Sequence, residues 1–325
     1  MEVDLSSPLE INGVEVWDNT KLSSYSCLER GRLAHEAHWR SKRPNEALAF
    51  GEGFHKAVEI WTKARVAEQA LPDEVAVEQA RAAFRQVWEK ELPEDARQKL
   101  EIEGDRRSYA NFQRLFAAFC RKFPIEMFDR IVATEIPFTL YLGKTPAGCE
   151  VSWSGILDRA VEWQGGLYYV DIKTTSYHLS DRFFAEFRLS GQMTGYAWAG
   201  EELGIGNFSG IMIQAVSTQT PQEGVKLKKD GTPYARQGKQ VDDLIGCEIL
   251  PVSGWRIEEW KRDTLQKIDD VRAARARGHW PKNWGEICNS FGGCAFRSVC
   301  EASPEARAAQ IEQWYEKRVW NPLER

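Results

Sequence analysis

Apolar side chains recur at three- and four-residue spacing across residues 47–65, 74–90 and 105–122. That period marks helices that each bury one face. An earlier stretch, 21–40, reads as a helix opening at Ser23 or Ser24, either of which can cap it. Pro72 and Pro93 punctuate the helical run. From Ile131 the pattern changes, and residues 131–141, 149–161 and 167–174, rich in β-branched and aromatic side chains, predict strands. A helix is expected near 182–203, strands at 208–216 and 247–252, a long helix over 255–278 and a charged helix from Pro304 to Trp320. The polar stretch Pro221–Gln240 carries Lys226, Lys228, Lys229, Arg236 and Lys239, and reads as a solvated, mobile loop or as a contact for phosphate charge. No internal repeat or low-complexity segment interrupts this order. The expected fold class is α/β, a central mixed sheet flanked by helices, in a single domain spanning 1–325. Within it lie a helical subregion at about 45–125, a sheet core at about 131–252, a helix and cysteine cluster at 255–300 and a tail helix at 304–320.

The two middle strands carry the candidate chemistry. The turn Gln164-Gly165-Gly166 folds them into a hairpin. Asp158, ending Gly155-Ile156-Leu157-Asp158, then lies beside Asp171, because antiparallel partners hold their Cβ atoms about 4.5–5.5 Å apart. Tyr168, Val170 and Ile172 take one face of the second strand, and Tyr169, Asp171 and Lys173 the other. Two carboxylates brought together repel, and one takes up a proton unless a cation sits between them. Mg²⁺ or Mn²⁺ resolves that repulsion with oxygen ligands, polarises a phosphate and acidifies a bound water. Lys173 could orient that water or stabilise charge developing on the phosphate. An Asp–Lys salt bridge on a solvated sheet face is the plainer reading of the same residues.

Three further positions have two readings each. His55 sits among Phe54, Val58 and Trp61, either as a satisfied core histidine or, if its helix reaches the hairpin, as a Mn²⁺ ligand. Glu135, on the strand before the hairpin, is a further ligand or an ordinary strand carboxylate. Gln192 and Tyr196 share a helix face at i and i+4, either to hold a phosphate or nucleotide, or simply as two amphipathic residues.

Composition narrows the class. A chain of 325 residues, 42% hydrophobic and 28% charged, describes a globular protein with a sizeable core. No apolar run approaches membrane-spanning length, and the acidic start Met-Glu-Val-Asp lacks a signal-peptide core, so a cytoplasmic location is expected. Net charge of −5 excludes indiscriminate polyanion binding but leaves room for a local basic groove. Among the 13 tryptophans, Trp61 and Trp198 lie on apolar helix faces and belong to the core rather than to a stacking platform for bases. The seven cysteines are not expected to form disulfides. Cys120, Cys149 and Cys247 read as small buried hydrophobes. Cys288, Cys294 and Cys300 are organised as C-x5-C-x5-C, with Cys27 far upstream.

A histidine in a G-x-x-H-type helix, a strand glutamate, G-I-L-D, D-I-K-T-T and a Q-x-x-x-Y helix occur here in one order. That ordered set resembles the PD-(D/E)XK nuclease superfamily, in particular its RecB-like branch of AddB-type nucleases, CRISPR-associated nucleases of spacer acquisition and phage exonucleases. The resemblance spans about Cys27 to Cys300 and implies a restriction-endonuclease-like sheet. It implies His55, Asp158 and Asp171 as metal ligands, with the Ile172 carbonyl as a fourth. It further implies Lys173 as the catalytic lysine, Gln192 and Tyr196 as the helix motif, and Glu135 as an auxiliary acid. Relatives of the AddB and CRISPR-associated kinds hold a [4Fe–4S] cluster by one cysteine before the core and three after it, which Cys27, Cys288, Cys294 and Cys300 resemble. The relatives' spacing is C-x2-C-x5-C, and the first interval here departs from it. A Zn²⁺ site with the same four thiolates is the competing reading. The implied activity is Mg²⁺- or Mn²⁺-dependent DNA cleavage, as an exonuclease of recombination, repair or phage replication, in the host cytoplasm if phage-encoded. DNA is the implied partner, with a separate recombination or helicase protein and no membrane. The alternative is a DNA-binding or adaptor subunit of a recombination or CRISPR-adaptation complex.

Overall fold

The computed structural model describes residues 10, 11, 13–206, 208–222, 224–226, 228, 229, 232, 233, 238–289 and 293–323. Arg236 of the basic stretch lies outside them. Along the chain run β1 (Glu10–Ile11), β2 (Val14–Trp17), α1 (Asn19–Ser24), α2 (Leu28–Gly31), a π-helical turn (Arg32–Glu36) and β3 (Trp39–Ser41). Then come α3 (Glu46–Val66), α4 (Asp73–Glu91), α5 (Glu94–Ile102), α6 (Tyr109–Lys122), β4 (Arg130–Lys144), β5 (Glu150–Trp163) and β6 (Gly166–Thr175). The order closes with α7 (Asp181–Ala185), α8 (Gly191–Glu202), β7 (Phe208–Ser217), β8 (Ile245–Leu250), α9 (Gly254–Arg277), α10 (Arg297–Glu301), α11 (Arg307–Trp314) and β9 (Tyr315–Lys317). The chain divides into two compact units, one of residues 1–44, 137–156 and 253–325, the other of 45–136 and 157–252.

The second unit has α/β architecture around a mixed sheet. The C-terminal half of β5 pairs antiparallel with β6, β6 parallel with β7, and β7 antiparallel with β8. Helices α3 and α4 form where the apolar period predicts them. Asn45 caps α3 by accepting from the Leu48 N–H at 3.0 Å, and Ser108 caps α6 through the Asn111 N–H at 3.2 Å. That cap starts α6 at Tyr109, four residues later than the periodicity suggests, and residues 94–102 form a separate helix. The helix expected over 182–203 is two helices, because Ser190 restarts the turn by accepting from Met193 N–H.

Phe50, Phe54 and Trp61 of α3, Phe84 of α4, and Phe112, Phe116 and Phe119 of α6 interlock on Ile172 and Val216 of the sheet. Phe54 alone meets the rings of Phe50, Phe112, Phe116 and Phe119. Each buried ring contributes about 1.5–3 kcal/mol. On the other layer α8 lies so close to β6 that a Cβ on Gly200 would fall 2.0 Å from the Tyr169 ring, and only glycine fits. Trp61 and Trp198 are buried, as expected from their helix faces.

The first unit carries its own short sheet. β1 pairs antiparallel with β2, and β2 runs parallel to the first residues of β5, Glu15 against Val151. The expected helix over 21–40 is broken here: Asp18, not a serine, caps α1 at Lys21 N–H, and β3 pairs with β9 from 39 onward. The tail expected to be helical to Trp320 accordingly ends at Trp314. Buried Glu15 gathers Lys21 (3.3 Å), Arg272 (2.7 Å) and Arg275 (3.1 Å), and Arg275 also pairs with Glu36 at 2.7 Å. Among the described residues no helix is long and apolar enough to cross a membrane.

His35 lies in this unit, 5% exposed, with its Nε2 3.2 Å from Ser24 Oγ. Burial above all, then the nearby Arg40 and Lys21 charges, pushes its pKa down to about 2. The unfolded chain protonates this imidazole near pH 6.5 and the folded one does not. Stability contributed by neutral His35 is therefore full above about pH 6.5 and falls as acid is added, by at most about 1.4 kcal/mol per pH unit. Urea unfolding followed from pH 7.5 to 5 should show that slope, and His35→Gln should flatten it.

Candidate active site

The turn of the central hairpin is two residues long. Gln164 and Gly165 both have positive φ, 50° and 77°, the requirement of the primed turns that match strand twist. Gly166, expected in the turn, instead pairs with Trp163 and opens the ladder. The ladder then runs to Arg159 against Val170 and ends there, and Asp158 and Asp171 are the next residues of the two strands beyond that last pair. Both carboxylates are buried, at 5% and 2% exposure. Asp158 Oδ2 accepts the Ile172 N–H at 3.0 Å, which fixes that carboxylate against the neighbouring strand.

Helix α3 brings His55 to the same place, its Nδ1 3.3 Å from Asp158 Oδ2. Gly51, one turn earlier, lies close to the strand: a Cβ there would sit 3.1 Å from Thr174 Oγ1, a tight contact. Of the two readings open for His55, the structure thus places it against the acids. From the strand itself Lys173 Nζ lies 2.8 Å from each Asp171 oxygen and donates a hydrogen bond to Oδ1. The same ammonium donates to Gln192 Oε1 at 3.0 Å, and Gln192 Nε2 donates to Tyr196 Oη at 3.0 Å. The i and i+4 pair on α8 is therefore the far end of a chain, Asp171–Lys173–Gln192–Tyr196, rather than two unrelated polar residues. Glu135 stands on β4, half-buried, with φ of 49°. A non-glycine residue there is backbone strain of the kind that concentrates at functional sites.

Burial sets the electrostatics. It holds the Asp171 carboxyl above the usual carboxylate range, Lys173 opposes that shift, and the Asp158 charge adds to it. The acids keep 2% of their side-chain surface while His55 and Lys173 keep 23% and 24%, so the site opens on the imidazole and ammonium side.

Sequence reasoning passed over one residue here. Arg159, next to Asp158 on the opposite face of β5, is 2% exposed and donates to Thr62 Oγ1 (3.2 Å) and Gln214 Oε1 (2.7 Å). An arginine in a run such as Leu-Asp-Arg-Ala-Val carries no signal of burial. Its only trace is that it interrupts an apolar strand.

The four cysteines of the one-plus-three pattern all fall in the other unit and are free. Asn283 touches two of them: its N–H donates to Cys27 Sγ at 3.4 Å and its carbonyl accepts from Cys288 Sγ at 3.6 Å. Cys294 N–H donates to the Cys288 carbonyl at 2.9 Å. Burial pushes the Cys300 thiol up, and Cys294 and Cys27 are close enough to add to that. Cys120 is buried as expected, Cys149 partly so, and Cys247 is exposed because its β8 position points outward.

Among the described residues no group of three or more His, Cys, Asp or Glu side chains is drawn together tightly enough to hold a metal ion as it stands. At the acids, Lys173 fills the role of counter-charge. The donor chemistry nonetheless suits a hard divalent cation, with two carboxylates, an imidazole and a strand carbonyl. Asp171 Oδ2 is buried and takes no hydrogen bond among the described residues, its contact with the Lys173 ammonium being ionic only.

The sequence profile of the PD-(D/E)XK nuclease superfamily matches residues 23–301. A crystal structure of a "Putative exonuclease" from Eubacterium rectale matches with a TM-score of 0.46 and 11% identity, over 84% of this chain and 85% of that one. The structure of SSO0001 matches with a TM-score of 0.33 and 11% identity, over 87% of this chain and 93% of that one. No curated protein matches the sequence.

Replacing Asp171 by Asn removes a charge that burial penalises. In EDTA at pH 7 the variant should melt at or above the parent temperature. Mn²⁺ should raise the melting temperature of the parent by a few degrees, about 2–4 °C per kcal/mol of binding, and leave that of the variant unmoved. A parent insensitive to Mn²⁺ would remove the acids from metal binding.

Proposed function

We propose that this chain, which belongs to the PD-(D/E)XK nuclease superfamily, is a Mg²⁺- or Mn²⁺-dependent deoxyribonuclease of the RecB-like branch, an exonuclease of recombination, repair or phage replication. The observation that carries the reading is the buried pair Asp158 and Asp171, with Lys173 joined through Gln192 to Tyr196. Asp158, Asp171, His55 and the Ile172 carbonyl are the groups that would hold the ion. When bound, the metal supplies polarisation of a phosphoryl oxygen and a water acidic enough to attack near neutral pH.

The chain's own residues do the rest. Ile172 N–H holds Asp158 in one orientation, so the carboxylate does not have to reorganise when the substrate arrives. Lys173 presents its ammonium at the open side of the site, where charge builds on the phosphate oxygens during attack. Gln192 restrains that ammonium, and Tyr196 in turn fixes which end of the Gln192 amide faces it. Glu135 is the auxiliary acid of this reading. The exposed Lys226, Lys228, Lys229 and Lys239 offer phosphate contacts that need no sequence preference.

In the same reading Cys27, Cys288, Cys294 and Cys300 ligate a structural [4Fe–4S] cluster. Supporting it are four free thiols within one unit and the shared contacts of Asn283 with Cys27 and Cys288. Zn²⁺ on the same thiolates is the alternative.

Cleavage of linear single- and double-stranded DNA with Mn²⁺ tests the enzyme. Asp158→Ala, Asp171→Ala and Lys173→Ala should each lower the rate by at least about 10²–10³-fold, the scale of losing one charge-stabilising group. Cleavage by Asp171→Ala at the parent rate would refute the proposal. Protein purified without oxygen should be brown, with about four irons per chain. A colourless protein containing one zinc would replace the cluster.

A further inference from the structure

We propose that Arg159 is a positioning residue for this site, a buried cation that ties β5, which carries Asp158, to α3, which carries His55, and to β7, which pairs with the strand of Asp171 and Ile172. The inference rests on the metal-dependent reading above for the ion, and on the contacts of Arg159 for the geometry.

Successive strand residues point to opposite faces, so Arg159 lies behind the sheet while Asp158 lies in front. Thr62 receives one arm of its guanidinium and Gln214 the other. Thr62 is 1% exposed and Gln214 0%, so neither can exchange that bond for water. Each partner stands in a fixed relation to the site. Thr62 is seven residues beyond His55 on α3, two turns along one helix face. Gln214 is the register partner of Ile172 on the adjoining strand. Arg159 itself follows Asp158 in the chain. One side chain thus sets β5 against α3 and β7, and through them Asp158 against His55 and the Ile172 carbonyl.

The charge has a second consequence. The hydrogen-bond partners of Arg159 among the described residues are neutral, its Nε has none, and the Phe128 ring lies 5.5 Å from the guanidinium. An apolar side chain would fill this place without the cost of burying a cation. The negative group that offsets that cost is Asp158. The charge stands behind the sheet and leaves the open side clear for substrate.

The test measures Mn²⁺ affinity by calorimetry and electron paramagnetic resonance, with melting in EDTA alongside. Arg159→Lys keeps the charge and loses the fork, and Thr62→Val removes only a hydroxyl. Both should still fold but melt several degrees below the parent in EDTA, because each leaves a buried polar group unpaired, with Mn²⁺ affinity at about 25 °C weakened about tenfold for Arg159→Lys and a few-fold for Thr62→Val. Broadened Mn²⁺ resonance, from a site no longer held in one geometry, should accompany the loss. If Arg159→Lys fails to fold, Thr62→Val decides. Parent affinity in Thr62→Val, or in a folded Arg159→Lys, overturns the proposal, provided Asp171→Ala binds no Mn²⁺. If Asp171→Ala binds Mn²⁺ as the parent does, the metal-dependent reading has failed instead.

Discussion

Asp158 and Asp171 sit just beyond the last rung of one antiparallel pair, each almost wholly removed from water. Neighbouring carboxylates both stay ionised only with cations at hand, and otherwise one takes up a proton. Lys173 stands in front, 2.8 Å from Asp171, and Arg159 stands behind, next in sequence to Asp158. His55 closes the third side. Helices α3 and α8 and strand β7 each bring to the hairpin a positive group, a donor, or a side chain that holds one of these in place.

The hydrophobic core makes that arrangement rigid. Helix α3 has one face buried in a phenylalanine cluster and, at its flank, His55 and Gly51 against the strands. Displacing the helix by even a fraction of an ångström would cost ring contacts shared among Phe50, Phe54, Phe112 and Phe116, in a core packed to crystal-like density. Precision at the acids thus comes from apolar packing one layer away. On the opposite layer, the glycine that admits Tyr169 lets α8 lie flat and aim Gln192 at Lys173.

Much of this was legible in the sequence because period-2 and helical patterns report which side of an element is buried. The strands of the hairpin, their neighbouring acids and the side of Lys173 follow from alternation alone. His55 was ambiguous, since a histidine among Phe54, Val58 and Trp61 looks the same whether its ring turns inward or toward a neighbouring strand. The break at Ser190 and the short elements between Asp18 and Ser41 escaped because local caps and a distant strand partner, β9, override a weak apolar period. Arg159 and Gln214 were invisible for a different reason. A buried polar pair satisfies itself across elements far apart in the chain, and no window of sequence contains both partners.

The two-residue turn at Gln164–Gly165 bears on how this protein can vary over evolutionary time. Loops elsewhere can lengthen at small entropic cost. Here a single inserted residue would slip the pairing by one and carry Asp158 to the back of the sheet, exchanging places with Arg159. The hairpin length therefore behaves as a lock on heredity: substitutions at the turn can be absorbed, but insertions and deletions would silence the site in one step.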